Sequence, residues 1–221
     1  MFADRRDAGR QLADRLVPYA GLRPIVIAMP RGGVPVAAEV AERLGAPLDI
    51  IVVRKIGCPW QPELGIGAIA EGDVRVLNDA LIADTGVGPQ ALEDVTARER
   101  AELARRVSQY RGERPALPLE GRVAILVDDG LATGYTARAA IAALRARGAE
   151  RVILAVPVAP KDSLEALRSL VDEVVVVETP AWFSGIGEFY DDFSQTSNEE
   201  VVALLEGAAS VAGASEAGVG R

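Results

Sequence analysis

Two adjacent carboxylates, Asp128 and Asp129, stand between a short apolar run and a loop of small and hydroxyl-bearing residues. The apolar run, 123–127, is typical of a strand that is buried on both faces of a parallel sheet. Glycines in the loop allow the backbone to approach an anion, while hydroxyls and unpaired N–H groups at a helix start supply donors. The loop residues that could contact a bound phosphate are Leu131, Ala132, Thr133, Gly134, Tyr135 and Thr136.

Carboxylates beside such a loop would repel a bare phosphate. They suit a ligand that also carries hydroxyl groups, which donate to carboxylates, or a Mg²⁺ ion that bridges ligand and protein. A sugar phosphate with a metal-bound pyrophosphate has all of these groups. Asp128 and Asp129 are therefore candidate contacts to Mg²⁺, either directly or indirectly. The alternative interpretation is an ordinary strand-to-helix turn with an acidic start.

The segment 127–136, VDDGLATGYT, resembles the signature with which type I phosphoribosyltransferases bind 5-phosphoribosyl 1-diphosphate (PRPP). The resemblance covers most of 24–177. It implies an enzyme, a Mg²⁺-dependent pentosyltransferase that moves the 5-phosphoribosyl group of PRPP to a nitrogen nucleophile and releases pyrophosphate. Asp128 and Asp129 would then hold the ribose hydroxyls, and the loop after them would bind the 5′-phosphate.

A second glycine-containing turn, formed by Arg31, Gly32 and Gly33, follows the predicted strand 24–29. Glycine lets backbone N–H groups approach a phosphate, and a guanidinium can bind phosphate oxygens in pairs. The resemblance implies that this turn contacts pyrophosphate. It also implies a non-proline cis peptide, for which the bond between Arg31 and Gly32 is the candidate.

A basic pair, Arg54 and Lys55, follows the predicted strand 49–53. The resemblance implies that a basic residue here reaches the pyrophosphate. Lys55 is the first choice, because a flexible ammonium suits a phosphate, and Arg54 is the fallback. The alternative is an exposed basic pair with a structural role only. The predicted catalytic residues are thus Asp128, Asp129, Lys55 and Arg31.

The accepting base is not specified by the sequence. Members of the resembled family that act on 6-oxopurines carry an aspartate at the position of Ala132, where it acts on the base N7 proton. With alanine there, we expect a nucleobase other than a 6-oxopurine. No signature of the adenine or orotate enzymes is evident, and an alternative function is therefore a regulatory module that binds PRPP or a nucleotide without transferring anything. A hydrolase or kinase is a weaker alternative, because the chain lacks a Walker A loop and a serine nucleophile elbow.

Alternating apolar runs and amphipathic stretches predict an α/β fold, a doubly wound parallel sheet flanked by helices as in type I phosphoribosyltransferases, with ligand at the carboxyl ends of the strands. The further predicted strands are 74–77, 152–156 and 173–177, and the predicted helices include 2–19, 89–112 and 161–170. In the first helix, Phe2 and Val17 can face the core, whereas charged residues such as Arg5 are interpreted as a solvated face.

Two irregular segments complete the expected site. Segment 56–73, rich in Gly and Pro, resembles the family's long mobile loop, which closes over the reacting centre. Segment 179–197 is a candidate hood that could stack on a planar base. Its aromatic residues are Trp182, Phe183, Phe189, Tyr190 and Phe193. The alternative is that these residues only cap the edge of the sheet.

The 221 residues suit one domain, placed at 1–208, followed by a tail, 209–221, that is rich in Ala, Gly and Ser and expected to be disordered. A net charge of −8 argues against a nucleic-acid or membrane-surface binder. A single cysteine and no histidine exclude an internal disulfide, Cys-cluster zinc sites and histidine-dependent triads. With no transmembrane-length apolar stretch and no signal peptide, we expect a cytoplasmic protein. A homodimer is a family-level expectation.

Overall fold

The computed structural model describes the backbone of residues 1–217 and the side chains of residues 1–208. The helices are α1 (Arg5–Leu16), α2 (Gly33–Leu44), α3 (Asp79–Thr85), α4 (Pro89–Arg111), α5 (Tyr135–Ala146), α6 (Lys161–Arg168) and α7 (Asn198–Ala217), with 3₁₀ turns at Val17–Leu22 and Ile186–Phe189. The strands are β1 (Ile25–Ala28), β2 (Leu48–Ile50), β3 (Val53–Cys58), β4 (Gln61–Ala70), β5 (Val74–Leu77), β6 (Val123–Val127), β7 (Arg151–Val158) and β8 (Glu173–Glu178).

Within residues 1–217, five parallel strands form the central sheet in the order β2–β1–β6–β7–β8. The predicted parallel sheet flanked by helices is therefore confirmed. Strands β1 and β6 are neighbours, and the N–H of Met29, just after β1, donates to the carbonyl of Val127 at the end of β6 (2.9 Å). The two turns that carry the acids and the Arg-Gly-Gly sequence consequently lie side by side at the carboxyl edge.

Every residue of β6 is buried, and its side chains alternate between two cores. Ile125 and Val127 pack on the side that also holds buried residues of α1 and α2, whereas Ala124 and Leu126 pack on the side of α5. A strand covered by helices on both faces needs apolar residues at every position, which explains the continuous run. Helices on both faces are the doubly wound arrangement.

A second sheet, antiparallel and in the order β3–β4–β5, occupies the segment predicted to be a long loop. That prediction for 56–73 is wrong in its secondary structure. Its glycines serve close packing within the hairpin: a Cβ on Gly65 would lie 2.4 Å from Cε of Lys55, and one on Gly57 would lie 2.4 Å from the carbonyl oxygen of Pro62. The predicted strand 49–53 is also divided, because β2 ends at Ile50 and β3 begins at Val53.

The ends of the chain differ from the sequence-based expectation in detail. Helix α1 ends at Leu16 and continues as a 3₁₀ turn with Pro18 in its first turn, so Val17 is 40% exposed instead of facing the core. Helix α7 continues to Ala217, into the segment 209–221 for which we expected disorder, and residues 218–221 lie outside the described residues. None of the helices described in 1–217 is both long and apolar enough to cross a membrane.

Candidate active site

The acid pair at the end of β6 lies directly against the turn that begins α2. A Cβ built on Gly32 would lie 1.9 Å from Oδ2 of Asp129, and one built on Gly33 would lie 2.9 Å from Cα of Asp128. Only glycine permits an approach this close. The structure thus brings together Gly32, Gly33, Asp128 and Asp129, which the sequence analysis had placed in separate turns.

The two carboxylates differ in their surroundings. Oδ2 of Asp129 accepts a hydrogen bond from Nε of Arg5 at 2.7 Å, and both side chains are only 12% exposed. Oδ1 of Asp128 accepts from the backbone N–H of Asp129 at 2.9 Å. Burial raises the pKa of Asp128 well above its ordinary value, and the adjacent charge of Asp129 raises it further. Burial also raises the pKa of Asp129, although Arg5 opposes this change.

The predicted hood packs onto the acid pair through part of its length. The hydroxyl of Tyr190 donates to the backbone carbonyl of Asp129, and its ring contacts those of Phe2 and Phe193 at centroid distances of 5.3 and 5.0 Å. Burial raises the pKa of the Tyr190 phenol. Trp182, by contrast, is 91% exposed. The segment therefore contains both a packed cap and an aromatic side chain in solvent.

The loop 131–136 is fixed from several sides. Gly134 has a φ of +76° and immediately precedes α5, and Leu167 of α6 packs beneath it, 3.3 Å from the position of a Cβ. Oγ of Ser163 donates to the carbonyl of Ala132, and the hydroxyl of Tyr135 accepts from Nδ2 of Asn78 at 2.6 Å. The amides at the start of α5 are thereby held in a conformation suited to an anion.

Leu131 is an exception within this loop. Its side chain is buried, and its N–H donates to the carbonyl of Val158 at 2.9 Å. A backbone donor that is already bonded inside the sheet has no capacity left for a phosphate. We therefore remove Leu131 from the predicted contacts made through backbone N–H groups, whereas Thr133 remains exposed beside the start of α5.

The predicted cations occupy different settings. Arg31 follows a cis peptide, which joins Pro30 to Arg31 and so lies one bond earlier than the predicted Arg31–Gly32 position. Arg54 forms an ion pair with Glu99 of α4 at 2.7 Å. Lys55 is exposed on β3, where its Nζ donates to the carbonyl of Glu63. Arg54 and Lys55 belong to β3 of the antiparallel sheet. They do not lie at the carboxyl edge of a parallel strand, contrary to our expectation.

Arg5 is the residue that sequence analysis missed. It was assigned to a solvated helix face, yet its guanidinium lies between the acid pair and the hood. Besides Asp129, it contacts the carbonyl of Ser194 at 2.6 Å and the ring of Phe193, whose centroid is 3.9 Å from Cζ. An arginine in the first turn of a charged helix carries no sequence signal for such a role.

Comparisons with known proteins identify relatives of this chain. A protein of Mycobacterium tuberculosis that is provisionally named a phosphoribosyl transferase is 51% identical over 206 residues, which cover 93% of this chain and 46% of that protein. The chain thus spans about half the length of this relative. A protein of Kineococcus radiotolerans named uracil phosphoribosyltransferase is 30% identical over 168 residues, covering 74% of this chain and 70% of its own.

Among solved structures, TT1426 from Thermus thermophilus superposes with a TM-score of 0.79 at 43% identity, covering 93% of this chain and 97% of the other. The sequence profile of the phosphoribosyl transferase domain matches residues 5–194, which include the acid pair, both glycine-containing turns and most of the hood. The chain therefore belongs to the phosphoribosyl transferase domain family.

Proposed function

We propose that this chain transfers the 5-phosphoribosyl group of PRPP to a nitrogen nucleophile and releases pyrophosphate. The observation that carries the proposal is the contact between the acid pair after β6 and the Gly32–Gly33 turn after β1. This contact places carboxylates, which can accept hydrogen bonds from ribose hydroxyls, beside the turn that is proposed to bind pyrophosphate. Neighbouring parallel strands bring the two turns to one edge, where ligands of such sheets bind.

The 5′-phosphate would bind at the start of α5. The backbone amides of residues 132–136 and the hydroxyls of Thr133 and Thr136 are its proposed donors, supported by the positive end of the helix dipole. Hydrogen bonds to charged groups contribute roughly 1.5–3 kcal/mol each. The ribose hydroxyls would donate to Asp128, whose carboxylate is not committed to an ion pair among the described residues.

Bond cleavage would leave the departing pyrophosphate with the electron pair and C1 of the ribose with cationic character. Arg31 would stabilise the developing negative charge, and Lys55 would add to this once its ammonium leaves the carbonyl of Glu63 for the leaving group. The N–H of Gly32 would help, whereas that of Gly33 already donates to the carbonyl of Met29 at 3.1 Å. The carboxylate of Asp128 would stabilise the positive ring until the lone pair of the nucleophile's nitrogen forms its bond to C1. The proton that this nitrogen loses would pass to solvent.

This site suits a Mg²⁺ ion whose ligands come mainly from the substrate. No cluster of three or more Asp, Glu, His or Cys side chains within the described residues could hold a metal ion by itself. Asp128 is the proposed protein contact, and Asp129, which is paired with Arg5, would act indirectly. When bound, Mg²⁺ would neutralise charge on the pyrophosphate oxygens and thereby make this group a better leaving group.

The acceptor would be a nucleobase other than a 6-oxopurine. Ala132 cannot exchange a proton with the base, and the relative named uracil phosphoribosyltransferase makes uracil the first acceptor to assay. An alternative function is a regulatory module that binds PRPP or a nucleotide without transfer. It is favoured by one observation: the charge of Asp129 is already balanced by Arg5, which leaves less negative charge for a cationic ribose.

Calorimetric titration with PRPP and Mg²⁺ tests the proposal. We expect the wild type to bind and Asp128→Asn/Asp129→Asn to bind at least about tenfold more weakly, since 1.4 kcal/mol corresponds to a factor of ten. Asp14→Asn, which alters a 70% exposed carboxylate near the far end of α1, is the matched control and should bind like the wild type. No binding by the wild type, or equal binding by the double variant, would refute the proposed site.

Pyrophosphate release distinguishes the two functions. An enzyme would release pyrophosphate from PRPP only in the presence of a particular nucleobase, and a screen that begins with uracil would identify it. A protein that binds PRPP but releases nothing with any base would instead be the regulatory module.

A further inference from the structure

We propose that Arg5 is a positioning residue of the PRPP site, which holds the Asp129 carboxylate against the Gly32 turn and leaves Asp128 as the acid that receives the ribose. This inference rests on the proposed function and extends it to a residue outside the signature segment. Arg5 lies on α1, 124 positions away from Asp129 along the chain.

The contacts of Arg5 leave its guanidinium little freedom. Nε donates to Asp129 at 2.7 Å, Nη1 donates to the carbonyl of Ser194 at 2.6 Å, and the ring of Phe193 lies against its face. Because a guanidinium is planar and its donors have fixed directions, contacts at two nitrogens and one face define its orientation. A guanidinium held in this way can in turn fix the carboxylate that it binds.

Asp129 is correspondingly held by three elements. Its Oδ2 accepts a hydrogen bond from Arg5 of α1 and lies 1.9 Å from the position of a Cβ on Gly32. Its backbone carbonyl accepts a hydrogen bond from the hydroxyl of Tyr190 in the hood. The carboxylate thus links α1 to the turn that is proposed to bind pyrophosphate. Loss of Arg5 would free it to move.

Arg5 also supplies a positive charge beside the acid pair. Asp128 faces Asp129 from the same loop, Tyr190 of the hood donates to its backbone carbonyl, and the α2 turn contacts it through Gly32. The contact between Arg5 and Asp129 at 2.7 Å offsets the repulsion between the two neighbouring carboxylates. Without Arg5, the Asp129 carboxylate would lose its anchor and be repelled by Asp128.

Two measurements on Arg5→Gln and Arg5→Lys at neutral pH test the inference. The first is ¹H–¹⁵N NMR of the ligand-free protein, which follows the amide resonances of Gly32 and Asp129. The second is calorimetric titration with PRPP and Mg²⁺. Arg6→Gln is the matched control, because Arg6 is the next residue, is 48% exposed and pairs with Glu39 at 3.3 Å.

We expect Arg5→Gln to shift and broaden the amide resonances of Gly32 and Asp129 and to weaken PRPP binding about tenfold or more at neutral pH. Arg5→Lys should recover the affinity in part, because it keeps the charge. The recovery should be incomplete, because one ammonium cannot reproduce the contacts to both Asp129 and Ser194. Arg6→Gln should match the wild type in both measurements.

Unchanged amide resonances of Gly32 and Asp129 in Arg5→Gln would overturn the inference. So would a loss of PRPP affinity that Arg5→Lys does not relieve, since that pattern indicates a structural role only. If Arg5→Gln does not fold, Arg5→Lys is compared with the wild type, and identical resonances and affinity would overturn the inference. A wild type that does not bind PRPP would refute the proposed function, a result distinct from the NMR comparison, which needs no ligand.

Discussion

At the scale of single residues, the ionised form of the acid pair is disfavoured in the folded protein. Burial and repulsion from Asp129 both disfavour the ionised form of Asp128. The hydrogen bond that Asp128 accepts from the N–H of Asp129 offsets this in part. A raised folded-state pKa means that the folded chain binds a proton more readily than the unfolded chain does. Stability attributable to this group is therefore lost as pH rises through the folded-state pKa.

Asp128→Asn should accordingly stabilise the ligand-free protein at neutral pH, by roughly 1–3 kcal/mol, the usual cost of a buried polar group with incomplete hydrogen bonds. The asparagine oxygen can still accept from the N–H of Asp129. The gain should shrink as pH falls and vanish below the ordinary aspartate pKa of about 3.9, where Asp128 is protonated in both the folded and the unfolded wild type. Urea denaturation at several pH values measures this, and a variant that is less stable than the wild type at pH 7 would contradict it.

At the scale of elements, helix α4 holds the antiparallel sheet in place. Three ion pairs join them: Arg54 to Glu99 at 2.7 Å, Arg100 to Asp73 at 2.9 Å, and Arg75 to Glu93. Glu102, by contrast, pairs with Arg105 and Arg106 of the same helix.

Glu99→Ala should therefore loosen β3 and β4 locally without unfolding the protein. Arg54 and Glu99 are about one-quarter exposed, so we expect a loss of global stability below about 1 kcal/mol. Hydrogen exchange followed by mass spectrometry should show faster exchange in peptides spanning 53–70. Glu102→Ala, on the same helix, serves as the control and should leave the exchange of those peptides unchanged. Equal protection in both variants would show that the ion pair does not restrain the hairpin.

At the scale of the whole molecule, a buried charge cluster joins the two sheets. Arg111, at the end of α4, donates to Asp49 of β2 at 3.2 Å and to Glu71, which follows β4, at 2.7 Å. Glu71 also accepts from the N–H of Val52, and Asp49 from that of Leu117. The cluster thus joins α4, both sheets and the segment that leads into β6.

Arg111→Leu should cost about 3–5 kcal/mol of unfolding free energy. It leaves the largely buried Glu71 without its cation and the buried Asp49 with only the longer pair to Arg147, at 4.0 Å. Arg105→Leu, which removes a largely exposed arginine from the same helix, should cost much less. Guanidinium chloride denaturation of both variants makes the comparison. Similar losses in the two variants would mean that burial does not determine the contribution of Arg111.

Local sequence patterns determined the fold class, the strands β1 and β6, helix α4 and the position of the loop that is proposed to bind phosphate. Each of these features depends on residues that are close in the chain: a continuous apolar run, an apolar stripe at helical spacing, or glycines before a helix start. The placement of the two turns on one edge also followed from sequence, because parallel strands place their carboxyl ends together. That the two strands are neighbours was decided by the tertiary structure. The hairpin 53–70 did not follow, since glycines that pack closely in a strand are compositionally indistinguishable from glycines in a loop.

Only the tertiary structure decided which charges act together. The pair of Arg5 and Asp129 spans 124 positions, and that of Arg111 and Asp49 spans 62. A surface arginine and a buried one have the same sequence signature when the helix around them is rich in charge. Their difference arises from what the chain packs against them, and this is decided by the folded arrangement of distant segments.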